Sequence, residues 1–257
     1  MGARLGQHFL FDPSILDRIA DAAVGAPSDV VLEIGAGKGT LTRALARRAA
    51  RVIAIEADRR LAGPLAASCG SGVRIVAGDA LEVAWPAADV VCGNIPYQIT
   101  SPLIERALSP PRPARIVFLV QREVADRLAA RPGARAWGAL SAGVQLVATV
   151  ERLFRVPAGA FRPRPRVDSA LVRITPRATP LVGSLDEERR VRQLIRAGFQ
   201  RRRQQLARTL REQWGVERAE AERLLAALDV GPRTRIEVLA PEQLVGLARA
   251  LGPRLAS

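Results

Sequence analysis

The stretch "GNIPYQIT" (93–100) ends the apolar run "DVVC" in an amide, a rigid proline and an aromatic ring. A buried strand has no structural need to finish this way. Asn94 carries one carbonyl acceptor and one NH₂ donor. Pro96 fixes its own φ and pushes Ile95 towards an extended backbone, which can present the Ile95 carbonyl to a ligand. Tyr97 adds a flat face. Two carbonyl acceptors beside an aromatic plate suit an exocyclic amine on a base swung out of its stack. The N6 amine of adenine is a poor nucleophile because its lone pair is delocalised into the ring. Acceptors at Asn94 Oδ1 and the Ile95 carbonyl would draw its hydrogens out of plane and localise that lone pair. The competing reading is a strand-terminating turn.

A second constellation precedes it. In "VLEIGAGKGTLT" a strand runs into Gly35, Gly37 and Gly39 and then a helix. Such a loop turns sharply and lets backbone approach a ligand without Cβ clashes. Gly39 follows Lys38 where a phosphate-binding P-loop needs Ser or Thr, so that class is excluded. Glu56 ends the next strand, nineteen residues after Gly37, where a carboxylate can accept both hydroxyls of a ribose. Asp79, in "AGDA", can accept from an adenine amino group, or can simply cap the next segment. Glu33, Glu56 and Asp79 around one loop suit a cationic adenosine cofactor better than an anionic pyrophosphate. The electrostatics therefore favour S-adenosylmethionine over NAD, although an NAD-dependent enzyme stays open as a minor alternative.

These residues need strands that end on one edge. Short β-like runs at 30–34, 51–56, 73–80, 89–94 and 115–121 alternate with helical stretches such as "TLTRALARRAA", "RRLAGPLAASC" and "TSPLIERALS". That alternation implies right-handed crossovers and an α/β fold with a mostly parallel, doubly wound sheet. Runs at 148–156 and 168–176 read as later, antiparallel strands. After "TPRATPLVGS" only helical periodicity remains, with Val191, Leu194, Ile195 and Phe199 at spacings of three and four. The expected domains are 1–182, catalytic, and 183–257, small and all-helical.

Composition narrows the partners. The 257 residues carry a net charge of +14, which favours a polyanion such as nucleic acid. Nearly all of that charge is Arg, with Lys38 the single lysine, so a GC-rich genome is the competing explanation. No apolar stretch reaches the roughly 18 residues of a membrane span, and the start lacks a signal-peptide layout. Two cysteines and one histidine make neither a disulfide framework nor a zinc site, so no metal is expected. A cytoplasmic protein, and a monomer, is the expectation.

Together "GQHFL", "EIGAGKGTLT", "IEADRRL", "GDAL", "GNIPYQITSPLI" and "FRPRPRVDSALVRI" resemble the ribosomal RNA adenine N6-dimethyltransferases, the KsgA family, over nearly the whole chain. The resemblance implies a Rossmann-like class I methyltransferase fold. It also implies that two adjacent adenosines in the 3′-terminal hairpin of small-subunit (16S) rRNA each receive two methyl groups from S-adenosylmethionine, during late assembly of the pre-30S particle. The stretches 120–141 and 194–211 look like the small-subunit enzyme. Erm-type large-subunit methyltransferases, or an assembly factor with dispensable catalysis, remain alternatives. By motif position the resemblance places Gly35, Gly37, Glu56, Asp79 and Asn94 on the cofactor, with His8 and Leu10 closing over it. The family usually has Asn where His8 stands. Phe161 is placed opposite Tyr97 across the target adenine, completing a catalytic set with Asn94, Ile95 and Pro96. Arg162, Arg164 and Arg166 alternate with prolines and suit phosphate contacts. Arg201, Arg202 and Arg203 are expected on a helical RNA-docking face, a solvated charge run being the plain alternative.

Overall fold

The computed structural model describes residues 7–255. It divides into two compact units: the residues through Ala125 with Val150–Pro176, and Asp126–Thr149 with the residues from Arg177 onward. The expected boundary near 182 therefore falls at 176/177, and the second unit also takes a segment from between two strands. Backbone hydrogen bonds explain this: Arg177 N–H donates to the Val147 carbonyl at 2.8 Å and Leu181 N–H to the Leu146 carbonyl at 3.0 Å.

In the first unit β1 (Phe9–Leu10) and α1 (Pro13–Ala23) precede β2 (Val30–Ile34), α2 (Thr40–Ala46), β3 (Arg51–Glu56), α3 (Arg59–Ser68) and β4 (Val73–Ala77). Then come β5 (Val90–Asn94), α4 (Thr100–Ala107), β6 (Arg115–Gln121) and α5 (Arg122–Leu128), the last running into the second unit. The second unit adds α6 (Ala139–Gln145), and β7 (Ala148–Val156), β8 (Phe161–Arg162) and β9 (Ser169–Pro176) follow. Seven strands form one sheet in the order β4-β3-β2-β5-β6-β9-β7. The pairs β2–β3, β2–β5, β3–β4 and β5–β6 are parallel, while β9 runs antiparallel to β6. The order reverses at β2, whose neighbours are β3 and β5. In open α/β sheets that switch point, at the carboxyl ends of the strands, is where ligands bind. β1 and β8 make a separate two-stranded ladder.

The central strands are apolar over most of their length because helices cover both faces of a parallel sheet. Val31, Leu32, Val90, Cys92, Val117 and Leu119 are fully buried. α1 is capped by Asp12, whose carboxylate accepts from the Ser14 and Ile15 N–H groups, and it buries Ile15, Leu16, Ile19 and Ala20. Between β2 and β5 the backbones approach so closely that a Cβ on Gly93 would stand 2.4 Å from the Ile34 carbonyl oxygen. Only glycine fits there, one residue before Asn94.

The second unit continues with α7 (Leu185–Gln200), α8 (Leu206–Trp214), α9 (Arg218–Ala226) and α10 (Pro241–Leu251). Ser184 caps α7, and three acidic residues in its first turn complement the helix dipole. Val191, Leu194 and Ile195 form its buried stripe, as their spacing predicts. α6 and α10 pack against α7. Among the described residues no helix is long and apolar enough to cross a membrane.

Gly93→Ala should therefore cost about 2 kcal/mol, the usual range for forcing an extra carbon into a packed interior. Urea denaturation should show it as a lower midpoint with an unchanged slope.

Candidate active site

The carboxyl ends of β2, β3 and β5 converge on one cavity of about 190 Å³, lined by Gly35, Gly37, Glu56, Asp79, Asn94 and Tyr97 among others. The glycine loop and the "NIPY" turn touch there: a Cβ on Gly35 would sit 3.6 Å from the Asn94 carbonyl oxygen. Gly35, Gly37 and Gly39 have φ of 77°, 55° and 75°, the left-handed region where other residues are strained. Against Gly37 lies Phe9, whose ring would be 3.1 Å from any added Cβ. The Lys38 ammonium stands 4.9 Å from the centroid of that ring.

The acids are held by backbone. Glu56 is buried, with Oε2 accepting from Gly37 N–H at 2.7 Å and Oε1 from Asp58 N–H at 2.8 Å. Each oxygen keeps acceptor capacity for a diol, because a carboxylate oxygen offers about two lone-pair sites. Asp79 accepts from Leu81 N–H at 2.8 Å through Oδ1, so it does cap its turn, while also lining the cavity. Its turn is braced from outside: Trp85 Nε1–H donates to the Ala80 carbonyl at 2.8 Å, and the Arg106 guanidinium bonds the Leu81 and Val83 carbonyls.

Glu33 is the unsatisfied member. It is 1% exposed, lines the cavity, and its Oε2 has no hydrogen-bond partner. Burial pushes its carboxyl up to about 7, opposed by the neighbouring Thr42 hydroxyl and reinforced by the charge of Glu56. A buried acceptor without a donor fits a cationic ligand that brings one. With the glycine cradle and the anchored Glu56, these residues fit an adenosine cofactor carrying an ammonium group.

At the other end of the cavity, Asn94 Nδ2–H donates to the His8 carbonyl at 2.8 Å, which turns Oδ1 into the free acceptor of the amide. Ile95 is buried. The turn's own hydrogen bonds, from Ile99 N–H at 3.2 Å and the Thr100 hydroxyl at 3.3 Å, go to the Pro96 carbonyl instead of that of Ile95. The Tyr97 hydroxyl and Ser169 Oγ share a hydrogen bond of 2.9 Å, which fixes the ring; burial raises the Tyr97 pKa. His8 and Leu10 also line the cavity, and the Leu10 carbonyl accepts from the Thr40 hydroxyl at 2.9 Å.

Phe161 does not stand where the resemblance places it. The ring is 1% exposed and belongs to the core with Leu10, Ile15 and Leu171. The reason is its register on β8, opposite Leu10. Drawing it out to meet a base would forfeit about 1.5–3 kcal/mol of burial. Arg162, Arg164 and Arg166 are exposed around a buried Pro165, and the Arg162 guanidinium lies 5.0 Å from the Phe11 ring centroid. The other arginine group also differs from expectation. α7 ends at Gln200, so Arg201, Arg202 and Arg203 sit in the turn beyond it. Arg201 pairs with Glu212, and Arg202 with Glu237 and the Arg135 carbonyl. Arg203 is exposed.

Glu33 supplies a pH dependence with a definite sign. Its folded value of about 7 lies above the ordinary carboxyl value of 4.5, so the proton is retained by the folded state in that window. Stability from this group is intact below pH 4.5 and is lost as pH rises towards 7, by about 3 kcal/mol in all. Glu33→Gln removes the titration. The stability difference between variant and parent, from urea unfolding without cofactor, should shift in the variant's favour between pH 5 and pH 8. A difference constant across that range would contradict the assignment.

Comparison with known proteins adds a lineage. A family model described as ribosomal RNA adenine dimethylase matches residues 2–251. A protein of Synechococcus elongatus called ribosomal RNA small subunit methyltransferase A is 41% identical, with 97% of this chain and 94% of the relative covered. The protein of that name from Gloeobacter violaceus is 43% identical, covering 96% and 92%. Among solved structures, a dimethyladenosine transferase from Plasmodium falciparum superposes with a TM-score of 0.82 at 30% identity, covering 93% of this chain and 96% of that one. The 23S rRNA methyltransferase ErmE does so with 0.75 at 31% identity, covering 95% and 99%.

Proposed function

The chain belongs to the ribosomal RNA adenine dimethylase family, and from that premise we propose how its own residues divide the work. It is an S-adenosylmethionine-dependent rRNA adenine N6-dimethyltransferase with small-subunit rRNA as substrate. Identity near 40% to small-subunit enzymes over nearly the full length, against 31% to ErmE, supports the small-subunit reading. The two adjacent adenosines of the 3′-terminal hairpin, in an immature small subunit in the cytoplasm, are its targets, and the protein acts as a monomer.

When bound, S-adenosylmethionine supplies a methyl group on a sulfonium that leaves without acid assistance. The chain's part is to bind, orient and desolvate. Glu56 holds the ribose, Asp79 the purine amine, and the Gly35–Gly37 backbone lets the cofactor close on the loop. Glu33, as the carboxylate, would hold the ammonium. Asn94 Oδ1 and the Ile95 carbonyl accept the two hydrogens of the target amine and turn its lone pair towards the cavity. Tyr97 carries the base on its face. Alignment of the amine with the methyl carbon is the main source of acceleration; once methylated the nitrogen is cationic and acidic, and its surplus proton passes to water without a strong base. Arg162, Arg164 and Arg166 hold the RNA backbone. The second unit docks on the ribosomal particle, with Arg203 the available cation of its triplet.

The observation that carries this reading is the Asn94 amide, which lines the cavity and spends its NH₂ on the His8 carbonyl, keeping Oδ1 available as an acceptor. Asn94→Ala should cut kcat by about 10²–10³, as for loss of one preorganised polar group, with RNA affinity retained. Labelled S-adenosylmethionine with immature small subunits provides the assay. Label should appear as dimethyladenosine in the 3′-terminal hairpin. Label confined to large-subunit RNA, or full activity in Asn94→Ala, would contradict the proposal.

A further inference from the structure

β4 and β5 are joined by residues 78–89, which form turns and irregular backbone with no helix or strand. Asp79 stands at the start of this crossing, so its place in the cavity depends on what holds the loop. Gly78 N–H donates to the Glu56 carbonyl at 2.9 Å, and the Asp79 carbonyl accepts from Glu82 and Val83 N–H at 2.9 Å each. A Cβ on Gly78 would stand 2.4 Å from Val83 Cγ1, so the turn closes tightly on itself. The carbonyls of Ala80, Leu81 and Val83 are then taken by two side chains. Trp85 Nε1–H donates to that of Ala80 at 2.8 Å, and the Arg106 guanidinium donates to those of Leu81 and Val83. The guanidinium carbon lies 5.1 Å from the Trp85 ring centroid, and both side chains are only partly exposed. A planar fork can fix two carbonyls at once, which a single ammonium does poorly.

Arg106 does not belong to this loop. It lies on the last turn of α4, whose first residue, Thr100, bonds the Pro96 carbonyl of the amine-reading turn. One short helix thus carries that turn at its start and the brace of the Asp79 turn near its end. Resting on the assignment of Asp79 to the cofactor's purine amine, we propose that Arg106 is a positioning residue for that acid. Through it the site prefers a 6-amino to a 6-oxo purine. Asp79 reads the amine only while its carboxylate is held against the purine edge. Its Oδ1 accepts from the N–H of Leu81, the residue whose carbonyl Arg106 holds. Releasing Leu81 therefore releases the carboxylate.

The test measures, by calorimetry on the full chain, the Kd for S-adenosylhomocysteine and for S-inosylhomocysteine, which has oxygen in place of the purine amine. The parent should bind the amino form about tenfold tighter or more, the usual worth of a hydrogen bond to a charged group. Arg106→Ala should bring the two Kd values within about twofold of each other by weakening the amino form alone. Arg106→Lys, which keeps the charge and one of the two bonds, should leave a ratio of about threefold. It also covers an Ala variant that does not fold. The proposal is overturned if either Arg106 variant keeps the parent's ratio. Both Kd values rising together would mean a brace for stability alone, and neither moving would mean no role in binding. A parent ratio near one, or a ratio that survives Asp79→Ala, would instead overturn the assignment of that acid. A parent that binds neither compound would overturn the cofactor reading itself.

Discussion

The hydrogen bond from Asn94 Nδ2 to the His8 carbonyl is the constraint around which the site is organised. An amide free to rotate would offer donor and acceptor equally to an incoming amine, and the donor would repel it. Committing one N–H to a backbone carbonyl stops that rotation and fixes which side of the group carries the acceptor oxygen. The bond also spans 86 residues of sequence, tying the N-terminal strand over the end of β5. Cofactor loop, base-reading amide and covering strand are thereby one assembly, and none of them is complete without the sheet edge that collects them.

That edge works because the parallel strands end in register. β2 delivers Glu33 and the glycine loop, β3 delivers Glu56, β4 leads into Asp79 and β5 delivers Asn94. Gly93 lets β5 lie close enough to β2 for the loop and the amide to share a cavity, so a backbone requirement in the core sets a distance in the site. The energetic cost is concentrated at Glu33, whose carboxyl is buried with an oxygen unpaired. Its protonation relieves that cost in the empty protein, and a cation relieves it in the loaded one.

Much of this was legible in the amino-acid sequence. The runs at 30–34, 51–56 and 115–121 became strands with those limits, because a strand covered on both faces is apolar over most of its length, with polar residues mainly at its ends and at the site. β4 stops at Ala77 instead of reaching Ala80, since Asp79 turns the chain by capping Leu81. What sequence could not reveal depends on contacts far apart in the chain. Phe161 carries the same letters whether it stacks on a base or packs beneath Leu10; only the β1–β8 register decides. Ser169 under Tyr97 and Arg106 under the Asp79 turn have no local signature. Likewise the segment 126–149 joins the helical unit through carbonyls at Leu146 and Val147, while the visible change in composition lies some thirty residues later. The arginine run at 201–203 read as one charged face, yet two of its members are absorbed by Glu212 and Glu237.

A structure of the chain with a demethylated cofactor analogue and the target hairpin tests the central claim most directly. Asn94 Oδ1 and the Ile95 carbonyl should each lie within hydrogen-bonding reach of the N6 atom of the extruded adenine, with Nδ2 still on the His8 carbonyl. An amide rotated to present its NH₂ to the base, or an N6 atom bonded elsewhere, would contradict the account.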